Sequence, residues 1–87
     1  MVKVVVTFIG ALADSVGTHM EVVELQSGYI TVKDLIEHLT FLKPSLNSFL
    51  SMTPLIQVFV NDVEASYNRA LRDGDRVTLM SPLYEGG

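Results

Sequence analysis

Cysteine is absent from this 87-residue sequence. That excludes disulfide scaffolding, thiol catalysis and thiolate metal sites. If the protein handles sulfur, no side-chain thiol carries it. Clustered positive charge is missing too. The six basic residues, Lys3, Lys33, Lys43, Arg69, Arg72 and Arg76, are scattered, and the formal net charge is −4. Phosphate contacts need a concentrated basic footprint, so direct nucleic-acid binding is disfavoured. An acidic domain suits a partner with a basic groove. No long apolar run occurs either. The longest stretch, Val4 to Ala13, is interrupted by Thr7 and Gly10 and is too short to span a bilayer. Met1-Val2-Lys3 leads straight into a strand-like segment, without the pattern of a secretory leader. The expectation is a soluble, cytoplasmic protein with no membrane association.

Residues that often carry chemistry are present but not arranged for it. His19 and His38 have no close metal spacing, whereas a metal site needs three or four converging ligands. Serine, histidine and aspartate occur without the strand-turn-helix pattern of a nucleophile. Gly10, Gly17 and Gly28 do not form a phosphate loop. Asp73 and Asp75 flank Gly74, which reads as a tight turn rather than a catalytic carboxylate pair. A stand-alone enzyme is the least supported reading.

What is present is apolar and patterned. Hydrophobic residues make up 48% and charged residues 18% of the chain, which supports a packed core and argues against disorder. The length suits one domain. Residues 2–9 are rich in β-branched side chains, and Val2, Val4, Val6 and Phe8 share one face, predicted to be the buried one. Ala11-Leu12-Ala13 fits one helical turn ended by Gly17. Residues 19–25 read as a second strand, antiparallel to the first across a short connection. Ser27-Gly28 breaks the pattern. Thr31 with Asp34 has the spacing of a capping box. Val32, Leu35, Ile36, Leu39 and Leu42 then form a helical stripe, which leaves Phe41 outside it, and Pro44 stops this helix. Ser45 to Leu50 fits a short second helical turn with Leu46, Phe49 and Leu50 inward. Residues 55–60 form a third strand, and Asn61-Asp62 a turn into a brief fourth strand at Val63-Glu64-Ala65. Asn68 to Arg72 reads as a loop or short turn. Asp73-Gly74-Asp75 turns the chain into a last strand at Arg76 to Met80. The order ββαβββ implies one sheet with a helix on one face and the other face open.

Gly86 and Gly87 close the sequence after Pro82-Leu83-Tyr84-Glu85. Without a Cβ, both glycines fit a narrow channel and accept almost any backbone angle. A carboxylate on such an end can be threaded into another protein's active site. Three further stretches belong with it. These are Lys3-Val4 through Phe8-Ile9-Gly10-Ala11-Leu12 to Gly17, Val60-Asn61 ahead of the turn, and Asp73-Gly74-Asp75-Arg76-Val77 leading through Pro82 to the glycines. Over essentially its whole length the chain resembles the MoaD/ThiS family of ubiquitin-like β-grasp sulfur carriers, closer to the MoaD branch.

The resemblance implies an α+β, ubiquitin-like β-grasp fold, a mixed four- to five-stranded sheet packed on one main helix. Residues 1–81 would be the domain and 82–87 a flexible tail. It implies that an E1-like enzyme adenylates Gly87 with ATP and that sulfur transfer yields a C-terminal thiocarboxylate. The chain itself would bind no cofactor. The sulfur would serve molybdopterin (molybdenum or tungsten cofactor) biosynthesis, with the large subunit of a molybdopterin synthase as partner. Similar β-grasp proteins act as protein modifiers or tRNA-thiolation carriers through the same glycine, with target proteins or a thiolation enzyme as partners. A non-covalent interaction module with an inert tail is a reading of another class. Gly86, Glu85, Tyr84, Leu83 and Pro82 would guide the tail into a partner, and Val5, Phe59 and Met80 on the open sheet face would dock it. Three departures from the family pattern bear on the partner rather than the fold. Ala13-Asp14 stands for the frequent Arg-Glu, Ser81-Pro82 for Pro-Pro, and the tail is one residue longer.

Overall fold

Alternation of side chains sets the first strand. Val2, Val4, Val6 and Phe8 are buried, while Lys3 and Ile9 are exposed, so β1 spans Val2–Ile9 with its period-two face on the core. The computed structural model describes residues 1–26, 30–52 and 56–81. The chain then forms α1 (Ala11–Val16), β2 (Met20–Leu25), β3 (Ile30–Thr31), α2 (Val32–Leu42), α3 (Pro44–Met52), β4 (Gln57–Val60), β5 (Val63–Glu64), β6 (Ala70–Leu71) and β7 (Arg76–Met80). A five-stranded sheet runs in the order β2-β1-β7-β4-β5, and β3 pairs with β6 in a separate two-stranded sheet. β1 and β2 are antiparallel, as expected from their short connection. β1 and β7 are parallel, so the first and last strands lie side by side near the middle of the sheet.

Helix α2 begins where the capping box places it. The Thr31 hydroxyl oxygen accepts from the Asp34 N–H at 3.3 Å, and an Asp34 carboxylate oxygen accepts from the Thr31 N–H at 2.9 Å. Two N-terminal donors are thereby satisfied reciprocally. Val32, Leu35, Ile36 and Leu39 are buried against the sheet. Each such residue contributes roughly 1.5–3 kcal/mol on burial. The helix ends at Lys43, whose N–H donates to the Leu39 carbonyl. Pro44 does stop α2, and it also opens α3, where its missing N–H and fixed φ suit the first helical position.

Several expectations need correction. Leu42 is 50% exposed and leaves the buried stripe. It sits at the stripe's edge, and the position over the sheet in that last turn falls to Lys43, whose ammonium reaches Glu21 of β2 at 2.7 Å. Phe41, 84% exposed, projects from the side of the helical wheel opposite the stripe. Residues 45–50 belong to a nine-residue helix rather than a single turn. Leu46 is fully buried there, with Phe49 and Leu50 packed against the core. The segment 68–72 contains a strand, because Ala70–Leu71 pairs with Thr31 and Ile30. Its two residues are held by distant partners, so no local pattern announces them. The fourth strand ends at Glu64. The break at Ser27-Gly28 and the start of the third strand at Leu55 lie outside the described residues.

Candidate functional site

One end of the sheet is closed by the Asp73-Gly74-Asp75 turn. Gly74 takes φ +91°, a conformation that favours glycine. Asp75 is buried, and both its carboxylate oxygens are used. One accepts from the Arg72 N–H at 2.8 Å and the other from the Asn61 side-chain amide at 2.9 Å. The Asn61 carbonyl oxygen accepts from the Arg76 N–H at 2.9 Å, which fixes the amide's orientation. Lys3 N–H donates to Asp73, and Gly74 N–H donates to the Lys3 carbonyl, both at 2.8 Å. The turn therefore ties β1, β4, β6 and β7 together, which supports its reading as structure. Asn61 and Asp62 have φ of 52° and 70° between the paired residues Val60 and Val63. This is the left-handed pair of a two-residue hairpin.

The other end is where β7 releases the chain. Ser81 follows Met80 and is 2% exposed. Its hydroxyl has no hydrogen-bond partner among the described residues. It packs against Gly10, which has φ 79° and ψ −151°. A Cβ built on Gly10 would lie 3.1 Å from the Ser81 Oγ. The tail candidates Pro82, Leu83, Tyr84, Glu85, Gly86 and Gly87, and the expected flexible segment they form, lie outside the described residues.

The strand registers place the remaining candidates on the face turned away from α2. Val5 lies between Val22 and Arg76. The next row reads Met20, Thr7, Thr78, Phe59 and Glu64, and the row nearest Ser81 reads Ile9, Met80 and Gln57. Val5, Phe59 and Met80 thus share one face, all half-buried, but they are spread over three rows with Thr7 and Thr78 between them. Sequence reasoning missed Ile9, Met20 and Val22, which are 40%, 60% and 57% exposed on this face. Their signal was present in the parity of β1 and β2. The face is graded. Toward the turn it carries the exposed pairs Lys3–Glu24 and Arg76–Asp62, at 3.9 and 3.4 Å. The row beside the tail root has no charged residue.

Elsewhere, Thr31, Lys33, Ser66, Tyr67 and Asn68 line an open cleft of about 340 Å³ that shares no residue with this face. His19 is exposed and His38 half-buried. Among the described residues no three His, Asp or Glu side chains converge as a metal site. No described helix is long and apolar enough to cross a membrane.

A mixed sheet holding parallel first and last strands, crossed on one face by α2, is the ubiquitin-like β-grasp. The sequence matches the ThiS family over residues 6–86, and the chain belongs to that family of sulfur carriers and ubiquitin-like modifiers. Among solved structures it is similar to SAMP1, small archaeal modifier protein 1, of Haloferax volcanii. The identity is 27% and the TM-score 0.84, over 98% of this chain and 99% of the other. It is also similar to a molybdopterin converting factor subunit 1 of Pyrococcus furiosus, named as putative, at 25% identity and TM-score 0.77, over 95% and 100% of the two chains. A structure of the complex of subunits 1 and 2 of the Helicobacter pylori molybdopterin-converting factor shares the fold. The identity there is 22% and the TM-score 0.64, over 97% and 99% of the chains. No curated protein matches the sequence.

Proposed function

We propose that this protein is a sulfur carrier whose Gly87 carboxylate is activated as an acyl-adenylate and converted to a thiocarboxylate. A carboxylate is a poor electrophile because it is anionic and lacks a leaving group. Adenylation by an E1-like enzyme using ATP supplies one. Sulfide displaces AMP, and the terminal C–S bond carries the sulfur to a pterin precursor in a molybdopterin-synthase-type complex. The tail, Pro82 to Gly87, is the substrate segment, and Val5, Phe59 and Met80 belong to the face that docks the partner. The supporting observation is the direction of β7. It delivers the chain to the uncharged end of an open sheet face, so an apolar partner surface there meets the face and the emerging tail together.

A second reading has its own support. The likeness to small archaeal modifier protein 1 has the higher TM-score, 0.84 against 0.77 for the converting-factor subunit. In that reading the same activated Gly87 acylates a target lysine. Intact-mass measurement after incubation with the cognate activating enzyme, ATP and a sulfur donor separates the two. Replacement of one terminal oxygen by sulfur supports the carrier. Isopeptide cross-links from Gly87 to lysines in cell extract, without thiocarboxylate, support the modifier. An unchanged mass with an enzyme shown to turn over ATP removes the carrier reading, and one residue added after Gly87 abolishes both chemistries.

A further inference from the structure

Strand β2 is one edge of the five-stranded sheet, and among the described residues only β1 pairs with it. Such an edge is a template for another strand. The ladder shows which of its backbone groups face outward. The Phe8 N–H donates to the His19 carbonyl at 2.9 Å, so Phe8 and His19 form a hydrogen-bonded pair of the antiparallel ladder. Every second residue along the register does the same, so Glu21, Val23 and Leu25 turn their N–H and C=O groups toward β1. Met20, Val22 and Glu24 turn theirs outward. At Met20 both are taken by the Thr18 hydroxyl, which accepts from the Met20 N–H at 3.4 Å and donates to the Met20 carbonyl at 3.1 Å. The edge is therefore closed at Met20 and open at Val22 and Glu24.

The side chains beside this opening set its chemistry. Met20 and Val22 are exposed on the outer face, and Glu24 follows them on the same face. On the helix side, Glu21 is engaged by Lys43 at 2.7 Å. Glu24 reaches Lys3 at 3.9 Å, with both side chains more than half exposed, and its second oxygen can accept from a further cation. We propose that this edge is a recognition site for an extended basic-apolar segment of a partner, added antiparallel to β2 as a sixth strand. A Lys or Arg of the segment lies opposite Glu24, an apolar residue two positions on lies opposite Val22, and a second apolar residue two further on lies beside Met20. The first two form four backbone hydrogen bonds with Val22 and Glu24, and Thr18 stops the pairing at Met20. A second copy of this chain is a poorer occupant. Centred on Val23, its β2 would set Val22 opposite Glu24 and place the two Glu24 carboxylates on the diagonal, and each copy carries a net charge of −4.

The test is a titration of the blocked peptide Thr-Lys-Thr-Val-Thr-Ile-Thr into the isotope-labelled full chain, read by NMR. A contact this small is weak, so saturable shifts centred on the Val22 and Glu24 amides are expected with Kd on the order of 1 mM. Hydrogen exchange at the same two amides should slow. Methylating the backbone nitrogen of the peptide's Val removes the donor to the Val22 carbonyl and should weaken binding about fivefold or more. Replacing the peptide's Lys with Glu should weaken binding about threefold, and in Glu24→Gln the two peptides should bind within about twofold of each other. No saturable shift at Val22 and Glu24 by about 5 mM peptide overturns the proposal. So does a methylated peptide that binds within about twofold of the parent, or a preference for Lys that persists in Glu24→Gln. Concentration-dependent shifts at Val22 and Glu24 in the protein alone would give the edge to a second copy and overturn it as well. None of these readouts involves Gly87, so the outcome is independent of the sulfur-carrier reading.

Discussion

At the turn end of the sheet both carboxylate oxygens of Asp75 and both polar atoms of the Asn61 amide are paired. At the tail end the buried Ser81 hydroxyl is unpaired among the described residues. The outer face follows the same division, with ion pairs toward the turn and an uncharged row beside the tail root. The difference separates two tasks within one small sheet. The turn end joins four strands through satisfied hydrogen bonds, and its exposed charges are paired with one another across the face. The tail end leaves apolar groups uncovered, as a surface completed by a partner does.

Substitutions at each end test that division. Asp75→Ala removes two charge-assisted hydrogen bonds from a buried turn, so a loss of about 3 kcal/mol is expected in denaturant titration. Such a loss corresponds to a fall in melting temperature of more than roughly 10 °C. An effect below about 1 kcal/mol would deny the turn end its structural role. Gly10→Ala forces a side chain into a glycine conformation and crowds Ser81, with an expected cost of about 2 kcal/mol by the same titration. Met80→Glu should change stability by no more than about 0.5 kcal/mol, yet weaken engagement of the activating enzyme about tenfold, equivalent to about 1.4 kcal/mol. If Met80→Glu instead destabilises the still-folded protein by more than about 1 kcal/mol and leaves engagement within twofold, the contrast between the ends collapses.

The smallest effect is a pH dependence at the start of α2. The Thr31 N–H, and after it the Thr31 hydroxyl, hold the Asp34 carboxyl below its ordinary value of 3.8. Its folded pKa is depressed, so its stabilisation is present above the unfolded value and is lost as pH falls through the folded one. The measurable outcome is an NMR titration midpoint for Asp34 below 3.8, moving part of the way back in Thr31→Ala, which removes the hydroxyl and keeps the backbone N–H. An unshifted midpoint in the unsubstituted protein would mean that the capping box does not hold the carboxylate in solution.

Where a local period repeats, sequence and structure agree. Val2, Val4, Val6 and Phe8 alternate cleanly, and Thr31 with Asp34 marks the helix start to the residue. Agreement stops where long-range pairing decides. β6 exists because Ala70 and Leu71 meet Thr31 and Ile30, and two residues are too few to show a period. Leu42 fails because the stripe runs on past the point where Lys43 takes over the contact with β2. At the candidate site the alternation along β1 put Val5 on the outer face, the face to which the strand registers also assign Phe59 and Met80. It gave no sign that Asn61 and Asp75, fourteen positions apart, share a hydrogen bond. The Gly10–Ser81 contact was equally hidden, because it joins the end of the first strand to the end of the last.

That parallel neighbourhood has a consequence for synthesis. β1 is translated first and β7 last, yet β7 fills the slot between β1 and β4. Until the chain has emerged past residue 80, that slot is empty and nothing fixes Ser81 against Gly10. Pairing of such distant segments also makes the central contacts the late, slow part of folding. A chain interrupted before β7 therefore has no assembled root at that end of the sheet. Closing the five-stranded sheet and bringing the chain to that end of it are therefore a single event in folding.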